Sequence, residues 1–322
     1  MDKNSKIYVA GHRGLVGSAL MRQLESKGYT NIVTRSHAEL ELENQADVRK
    51  FFLTENPEYV FLAAAKVGGI YANNTYPAEF IHQNLAVQTN VIHESYASKV
   101  KRLLFLGSSC IYPRDCPQPM KEAYFLTGQL EPTNRPYALA KIAGIEMCHA
   151  YNRQYGTRYV AAMPTNLYGP GDNFDLNNSH VLPALVRKMN EAKRSGDNEV
   201  VVWGTGTPRR EFLASEDMAE ACVHIMNLQD ERFLGLLDQD NPPIVNIGCG
   251  SDITIKELAE YVRDIVGYDG KLIFDFSKPD GTPRKLMDVS KLSALGWEAR
   301  TDLKHGLERY QQDYLSLRAK LT

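Results

Sequence analysis

No apolar run in this sequence reaches the ~18 to 20 residues that a membrane-spanning helix needs. An excess of one charge is also missing. The chain has 37 Lys and Arg against 39 Asp and Glu, a formal net charge of −2. No long-range field therefore recruits nucleic acid or an anionic membrane. Cysteine is sparse: Cys110, Cys116, Cys148, Cys222 and Cys249 are scattered, odd in number and free of any Cys-x-x-Cys or Cys/His zinc spacing. The expectation is a cytoplasmic protein with reduced thiols and no metal. Met1 to Lys6 run straight into a short strand without the apolar core of a signal peptide. Internal repeats and low-complexity segments are absent too. What remains is 322 residues, 43% hydrophobic and 24% charged, enough for one large domain or two smaller ones.

The stretch that carries chemistry runs from Gly107 to Lys141. The apolar run Leu103 to Leu106 reads as a buried strand, and it ends in Gly107-Ser108-Ser109-Cys110. Further on, Tyr137 and Lys141 stand at i and i+4, one helical turn apart on one face. A free phenol titrates near ~10, too high for easy proton transfer at neutral pH. A nearby ammonium favours the phenolate and is expected to bring that value down. Ser108, at the strand end, can hold a carbonyl oxygen between itself and Tyr137. That geometry polarises a ketone for hydride attack and protonates the resulting alkoxide. Alone the pair is weak evidence, because a surface Lys beside a half-buried Tyr looks the same.

Lys6 to Ala10 is a β-rich run. It feeds Gly11-His12-Arg13-Gly14-Leu15-Val16-Gly17 and then a helical pattern through Leu20 and Leu24. Strand, Gly-x-x-Gly-x-x-Gly and helix together set a pyrophosphate on a helix N-terminus. The second strand, Asn31 to Thr34, is followed by Arg35, not by the acid that an NAD site turns on the ribose 2′-OH. Arg13 and Arg35 suit a 2′-phosphate, which favours NADP over NAD. The plainer reading of Arg35 is a solvated loop cation. Glu58 to Ala65 reads as another strand, followed by a helix from about Phe80 to Ser98, and Arg158 to Met163 as a further strand. The alternation predicts an α/β fold, a doubly wound parallel sheet of Rossmann type with its sites at the strand C-termini. Residues 1–165 are assigned to dinucleotide binding, with returning segments near 212–228 and 244–250. Residues 166–322 are assigned mainly to a smaller α/β substrate domain.

Pro164-Thr165-Asn166-Leu167 ends the Arg158 strand. Asn166 can donate to a cofactor or substrate, or merely cap the turn. Asn178 or Ser179 is expected to cap the next helix, with His180 at its mouth. Trp203 can stack on a base and Arg210 can pair with a pyrophosphate, although a core Trp and a surface salt bridge fit equally. Thr254 begins a helix, and Gln229 to Pro243 reads as a surface excursion.

Taken together, several stretches resemble the extended short-chain dehydrogenase/reductase family, nearly end to end. They are the glycine turn, Ala64 to Ile70, Gly107 to Pro113, Pro136 to Lys141, Pro164 to Pro170 and Ser277 to Lys285. The glycine and Tyr/Lys motifs are shared by the whole superfamily. Ser108 to Pro113 and Lys278 to Pro283 are far more specific. The resemblance implies a bifunctional epimerase and reductase that uses NADP on GDP-4-keto-6-deoxy-mannose. It implies Ser108, Tyr137 and Lys141 as the reductase triad, and Cys110 and His180 as the acid/base pair of a 3,5-epimerisation. Cofactor contacts are implied at Gly11, Arg13, Gly14, Leu15, Val16, Gly17 and Arg35, and at Leu106, Gly107 and Ser109. Others are implied at Lys141, Pro164, Asn166, Leu167 and His180. Lys188, Trp203, Arg210 and Asp280 are implied to line the GDP-sugar site. A homodimer is implied, built on a four-helix interface that includes the Tyr137 helix. Ser36 and His37 follow Arg35, where the family often carries further arginine. A 4,6-dehydratase would show an Asp-Glu pair where Ser109-Cys110 stands. A non-enzymatic NADP-sensing module has no need of Tyr137, Lys141 or the thiol.

Overall fold

The computed structural model describes residues 1–176 and 178–319. Five strands come first: β1 (Ile7–Ala10), β2 (Ile32–Val33), β3 (Tyr59–Leu62), β4 (Arg102–Leu106) and β5 (Tyr159–Pro164). Then follow β6 (Asn166–Tyr168), β7 (Glu199–Trp203), β8 (Arg209–Arg210) and β9 (Phe212–Ala214). The last are β10 (Ile244–Ile247), β11 (Ile253–Thr254), β12 (Lys271–Asp275) and β13 (Arg284–Lys285). Six of these form one sheet in the order β10-β5-β4-β3-β1-β2. Every pairing in it is parallel, as the alternating pattern predicts.

A parallel sheet is covered on both faces, so its strands are apolar at nearly every position, Arg102 and Asn246 being buried exceptions. Alternate residues feed two cores. Ile7, Val9, Leu104, Leu106, Val160 and Ala162 pack with the helices Leu15–Ser26 and Ser215–Asn227. Tyr8, Ala10, Leu103, Phe105, Tyr159 and Ala161 pack with the helices Gln45–Glu55, Pro77–Ala97 and Arg135–Tyr155. Each Leu or Phe buried this way contributes about 1.5–3 kcal/mol. A third core joins β7 to the helices Val181–Ser195, Ile255–Val266 and Leu303–Ala319. Thr254 caps the second of these through a reciprocal bond with Glu257, as its sequence position suggests.

Some expectations shift. The helix read from Phe80 starts at Pro77, because proline fits a first helical turn. β3 stops at Leu62, short of Ala65: the chain leaves the sheet there and runs under the glycine turn. Gln229 to Pro243 is not simply an excursion. The short helix Asp230–Leu234 buries Phe233, over which the Arg102 guanidinium lies 4.1 Å from the ring centroid. Asp230 pairs with Arg102 and Arg158.

Glu211 joins the parts that carry the site. It is completely buried between Arg210 and Phe212. Its carboxylate accepts from the backbone N–H groups of Cys249 (2.6 Å), Gly250 (2.7 Å) and Met287 (2.9 Å). Its own carbonyl accepts from Thr165 Oγ1 (3.1 Å) and Asn166 Nδ2 (2.9 Å). The ends of β5, β8, β10 and β13 therefore meet at one residue. Glu211→Ala leaves three buried donors unpaired and is expected to cost about 3 kcal/mol. Urea unfolding measures this, and a loss below about 1 kcal/mol would mean that water replaces the carboxylate.

Candidate active site

β1 turns into its helix through Gly11, Arg13 and Gly14. Gly14 caps the helix N-terminus, and Leu15 and Val16 form its first turn. Gly11 holds φ +83°, and a Cβ there would lie 2.7 Å from the Ala64 backbone nitrogen. A Cβ on Gly17 would lie 2.0 Å from the Gly11 carbonyl oxygen, so only glycine lets helix and turn close together. Inside the turn, His12 Nδ1 is buried without a hydrogen-bond partner among the described residues. An open cradle of this kind at a helix N-terminus fits a dinucleotide pyrophosphate. Arg13 is exposed. Arg35 is not a free loop cation: it pairs with Glu55 at 2.5 Å and donates to the Thr34 carbonyl. Glu39 lies near both arginines. Its carboxyl is held low first by hydrogen bonds from Ser36 and then by the two guanidinium groups.

The second half of the site sits at the ends of β4 and β5. Leu106 closes β4, and after Gly107 the residues Ser109–Ile111 form a single tight turn. Ser108 caps that turn, its hydroxyl accepting from the Cys110 N–H at 3.4 Å. Lys141 is buried, and its ammonium donates to the Leu106 carbonyl at 2.7 Å. The Lys141 ammonium lies 5.8 Å from the Tyr137 ring centroid, and Phe80 meets the same ring edge-on at 6.1 Å. Strand end, hydroxyl, phenol and ammonium thus come together as the i, i+4 spacing predicts.

The phenol differs from expectation. Burial raises the Tyr137 pKa, Cys110 raises it further, and only the Ser108 hydroxyl works the other way. Tyr137 is therefore a neutral proton donor. Burial pushes Lys141 down to about 8, with Cys110 opposing. Burial also pushes the Cys110 thiol up, against the pull of Lys285, Ser108 and Lys141. His180 remains exposed to solvent yet lies deep in the cleft, where desolvation and then Lys285 hold its imidazole below the usual value. Neither Asn178 nor Ser179 caps the following helix. His180 is itself the cap residue, with extended backbone (φ −75°, ψ 173°) and no side-chain capping bond. Among the described residues its imidazole is therefore not committed to capping the helix.

Pro164 ends β5, and Asn166 and Leu167 lie on β6 beside it. The Asn166 amide NH2 is committed to the Glu211 carbonyl. Trp203 is not a core residue. It is 48% exposed, with the ammonium groups of Lys188 and Lys278 each 5.3 Å from the ring centroid. Arg210 is no surface salt bridge either. It donates to the Asp280 carbonyl at 3.2 Å, and burial brings its pKa down to about 10. The Asp280 carboxylate accepts from the N–H and hydroxyl of Thr205, both at 2.8 Å.

Two functional candidates escaped the sequence reading. Lys285 couples to Cys110, Arg210 and His180 and so links the two halves of the cleft. It closes the Ser277 to Lys285 motif but had no role. Glu211 had a detectable signal, an acid set directly before the apolar strand Phe212–Ala214.

A proton donor and a cofactor cradle at the C-terminal edge of one parallel sheet define a nicotinamide-dependent enzyme of the short-chain dehydrogenase/reductase class. The chain belongs to the NAD dependent epimerase/dehydratase family, whose model matches residues 7–248. It is 59% identical over 314 residues to GDP-L-fucose synthase 1 of Arabidopsis thaliana, covering 98% of this chain and 94% of that one. It is 53% identical over 312 residues to the GDP-L-fucose synthase of Escherichia coli K12, covering 96% of each. A solved structure of a GDP-mannoheptose C4 reductase from Campylobacter jejuni with NADP bound superposes with a TM-score of 0.89. The identity there is 41%, over 98% of this chain and 99% of that one.

Ketone reduction is expected to slow as pH rises through about 8, where Lys141 loses its charge. Lys141→Arg keeps a cation at every accessible pH. It should be slower but flat across the same range in a pH–rate profile. A wild-type rate that is itself flat there removes the Lys141 charge from the reaction.

Proposed function

We propose that this protein is a bifunctional epimerase and reductase. It converts GDP-4-dehydro-6-deoxy-D-mannose to GDP-L-fucose by inverting C3 and C5 and then reducing the C4 ketone with NADPH. The observation that carries the reading is a thiol two residues beyond the reductase serine, in a chain more than half identical to GDP-L-fucose synthases along nearly its whole length. A dehydratase on this fold needs an acid pair where Ser109 and Cys110 stand.

NADPH would be held by the glycine turn and by Arg13 and Arg35, with Leu106, Gly107, Ser109, Lys141, Pro164, Asn166, Leu167 and His180 alongside. When bound it supplies a hydride to C4. The protein's own groups do the rest. Ser108 and Tyr137 aim hydroxyls at the C4 oxygen and stabilise the enolate that forms when a neighbouring carbon loses its proton. Cys110 takes that proton, and His180 returns one on the opposite face. Desolvation and then the Lys285 charge hold the His180 imidazole low, and the substrate diphosphate, brought in by Arg210, offsets that charge. Lys188, Trp203 and Asp280 complete the GDP-sugar contacts. In the reduction Tyr137 gives its phenolic proton to the C4 alkoxide, which suits a phenol kept neutral by burial.

The cofactor half comprises residues 1–165 with returning segments near 212–228 and 244–250. Residues 166–322 mainly hold the sugar nucleotide. The pairing of β10 with β5 supports this division. The protein acts as a homodimer through the helices Pro77–Ala97 and Arg135–Tyr155. Leu139 and Tyr155, both apolar and exposed on the second helix, support that interface. Its five cysteines are free, which suits the cytoplasm. No helix among the described residues is long and apolar enough to cross a membrane.

Incubation with GDP-4-dehydro-6-deoxy-D-mannose and NADPH should yield GDP-L-fucose, identified by chromatography against a standard. Tyr137→Phe should lose about 10² to 10⁴-fold in reduction while cofactor affinity stays near normal by fluorescence titration. Near-normal reduction in that variant requires another acid and overturns the assignment.

Epimerisation is separable. Without NADPH, the wild type should exchange solvent deuterium into C3 and C5, followed by mass spectrometry, and Cys110→Ala should not. With NADPH that variant should slowly reduce the unepimerised ketone. Wild-type deuterium uptake in Cys110→Ala would sink Cys110 as the base.

A further inference from the structure

Lys285 lies on β13, whose parallel register with β8 sets it beside Arg210. Neighbours in such a register share a face of the sheet. Two adjacent cations are unfavourable unless an anion serves them. The chain beyond Lys285 is tied to the segment that follows the Cys110 turn. Leu286 donates its N–H to Gln118 Oε1 at 2.9 Å, and its carbonyl accepts from the Met120 N–H at 2.7 Å. Lys285 is thus held over the cleft from both sides. Lys141, Lys193 and Lys291 each donate to a backbone carbonyl. Among the described residues the Lys285 ammonium has no hydrogen bond or ion pair.

The groups that face it come from five elements. They are the Cys110 thiol after β4, Cys116 in the next loop, Glu131 before the Tyr137 helix, His180 at its helix start, and Arg210. Around Cys110 itself stand Lys285, Lys141, Ser108 and Tyr137.

We propose that Lys285 is a positioning residue for epimerisation, its ammonium stabilising the Cys110 thiolate so that the sulfur can take a carbon-bound proton. The thiol proton leaves to solvent first. Then a substrate C–H bond breaks, an S–H bond forms, and the electron pair moves onto the C4 oxygen. Burial opposes ionisation of Cys110, and Lys285 is the foremost of the groups that favour it. The inference rests on Cys110 being the base.

The ultraviolet absorbance of the thiolate, taken as the difference between each protein and its Cys110→Ala counterpart, follows this sulfur alone. In Lys285→Met the Cys110 midpoint should rise by about one pH unit or more, and Lys285→Arg should restore it. One unit cuts the thiolate fraction about tenfold at neutral pH. Deuterium uptake into GDP-4-dehydro-6-deoxy-D-mannose without NADPH should fall equally and recover as the pH is raised. A purely structural lesion, or loss of a diphosphate contact alone, lowers uptake at every pH and leaves the midpoint in place. An unmoved midpoint in Lys285→Met overturns the proposal, as does uptake that stays low at high pH. Wild-type uptake in Cys110→Ala overturns the base assignment instead, whatever the midpoint does.

Discussion

The hydrogen bond from the Lys141 ammonium to the Leu106 carbonyl is the constraint on which the catalytic geometry depends. It ties the second turn of a long helix to the last residue of a central strand. A buried ammonium needs such a partner. Once it is made, the helix can neither slide nor rotate, and Tyr137, one turn earlier, must lie over the Ser108 turn. The bond also fixes where a positive charge sits, next to the oxygen that a reducible ketone would present.

The rest of the cleft follows one electrostatic rule. Removing groups from water raises acids and lowers bases together. Cys110 and Tyr137 move up, while Lys141, His180, Lys285 and Arg210 move down. The cleft therefore favours neutral forms of its proton-exchanging groups. Glu211 serves a different purpose on the far wall. Its carboxylate is spent on three backbone donors and holds the segment bearing Lys285 in register with that bearing Arg210.

The parts of this design that are local in sequence were legible there. Apolar strands with glycine punctuation, the glycine turn and the Tyr137–Lys141 pair each announce themselves within a few residues. The Tyr137 phenol was misjudged, because spacing shows the nearby cation but not the loss of water that outweighs it. Arg35 looked free because its partner Glu55 lies on another element. The capping residue at the Val181 helix was displaced because the chain turns helical only at Val181: the Asn178 carbonyl is held by the Gly69 N–H and its amide by Asp175, which leaves both Asn178 and Ser179 ahead of the cap position. Lys285 closes a motif that was seen, but its role had no local signal, since its meaning comes from a strand pairing with the distant Arg210.

The strand order has a temporal side. β1 to β5 can assemble early in synthesis, but their sheet gains its outer strand β10 only after residue 247. β13, which brings Lys285 to Cys110, comes later still and is followed by a helix that completes the third core. A ribosome-bound chain thus acquires its dinucleotide cradle well before the cleft is whole. The sulfur meets its cation only when translation is nearly finished, so a truncated product would carry a formed cradle and an unarmed thiol.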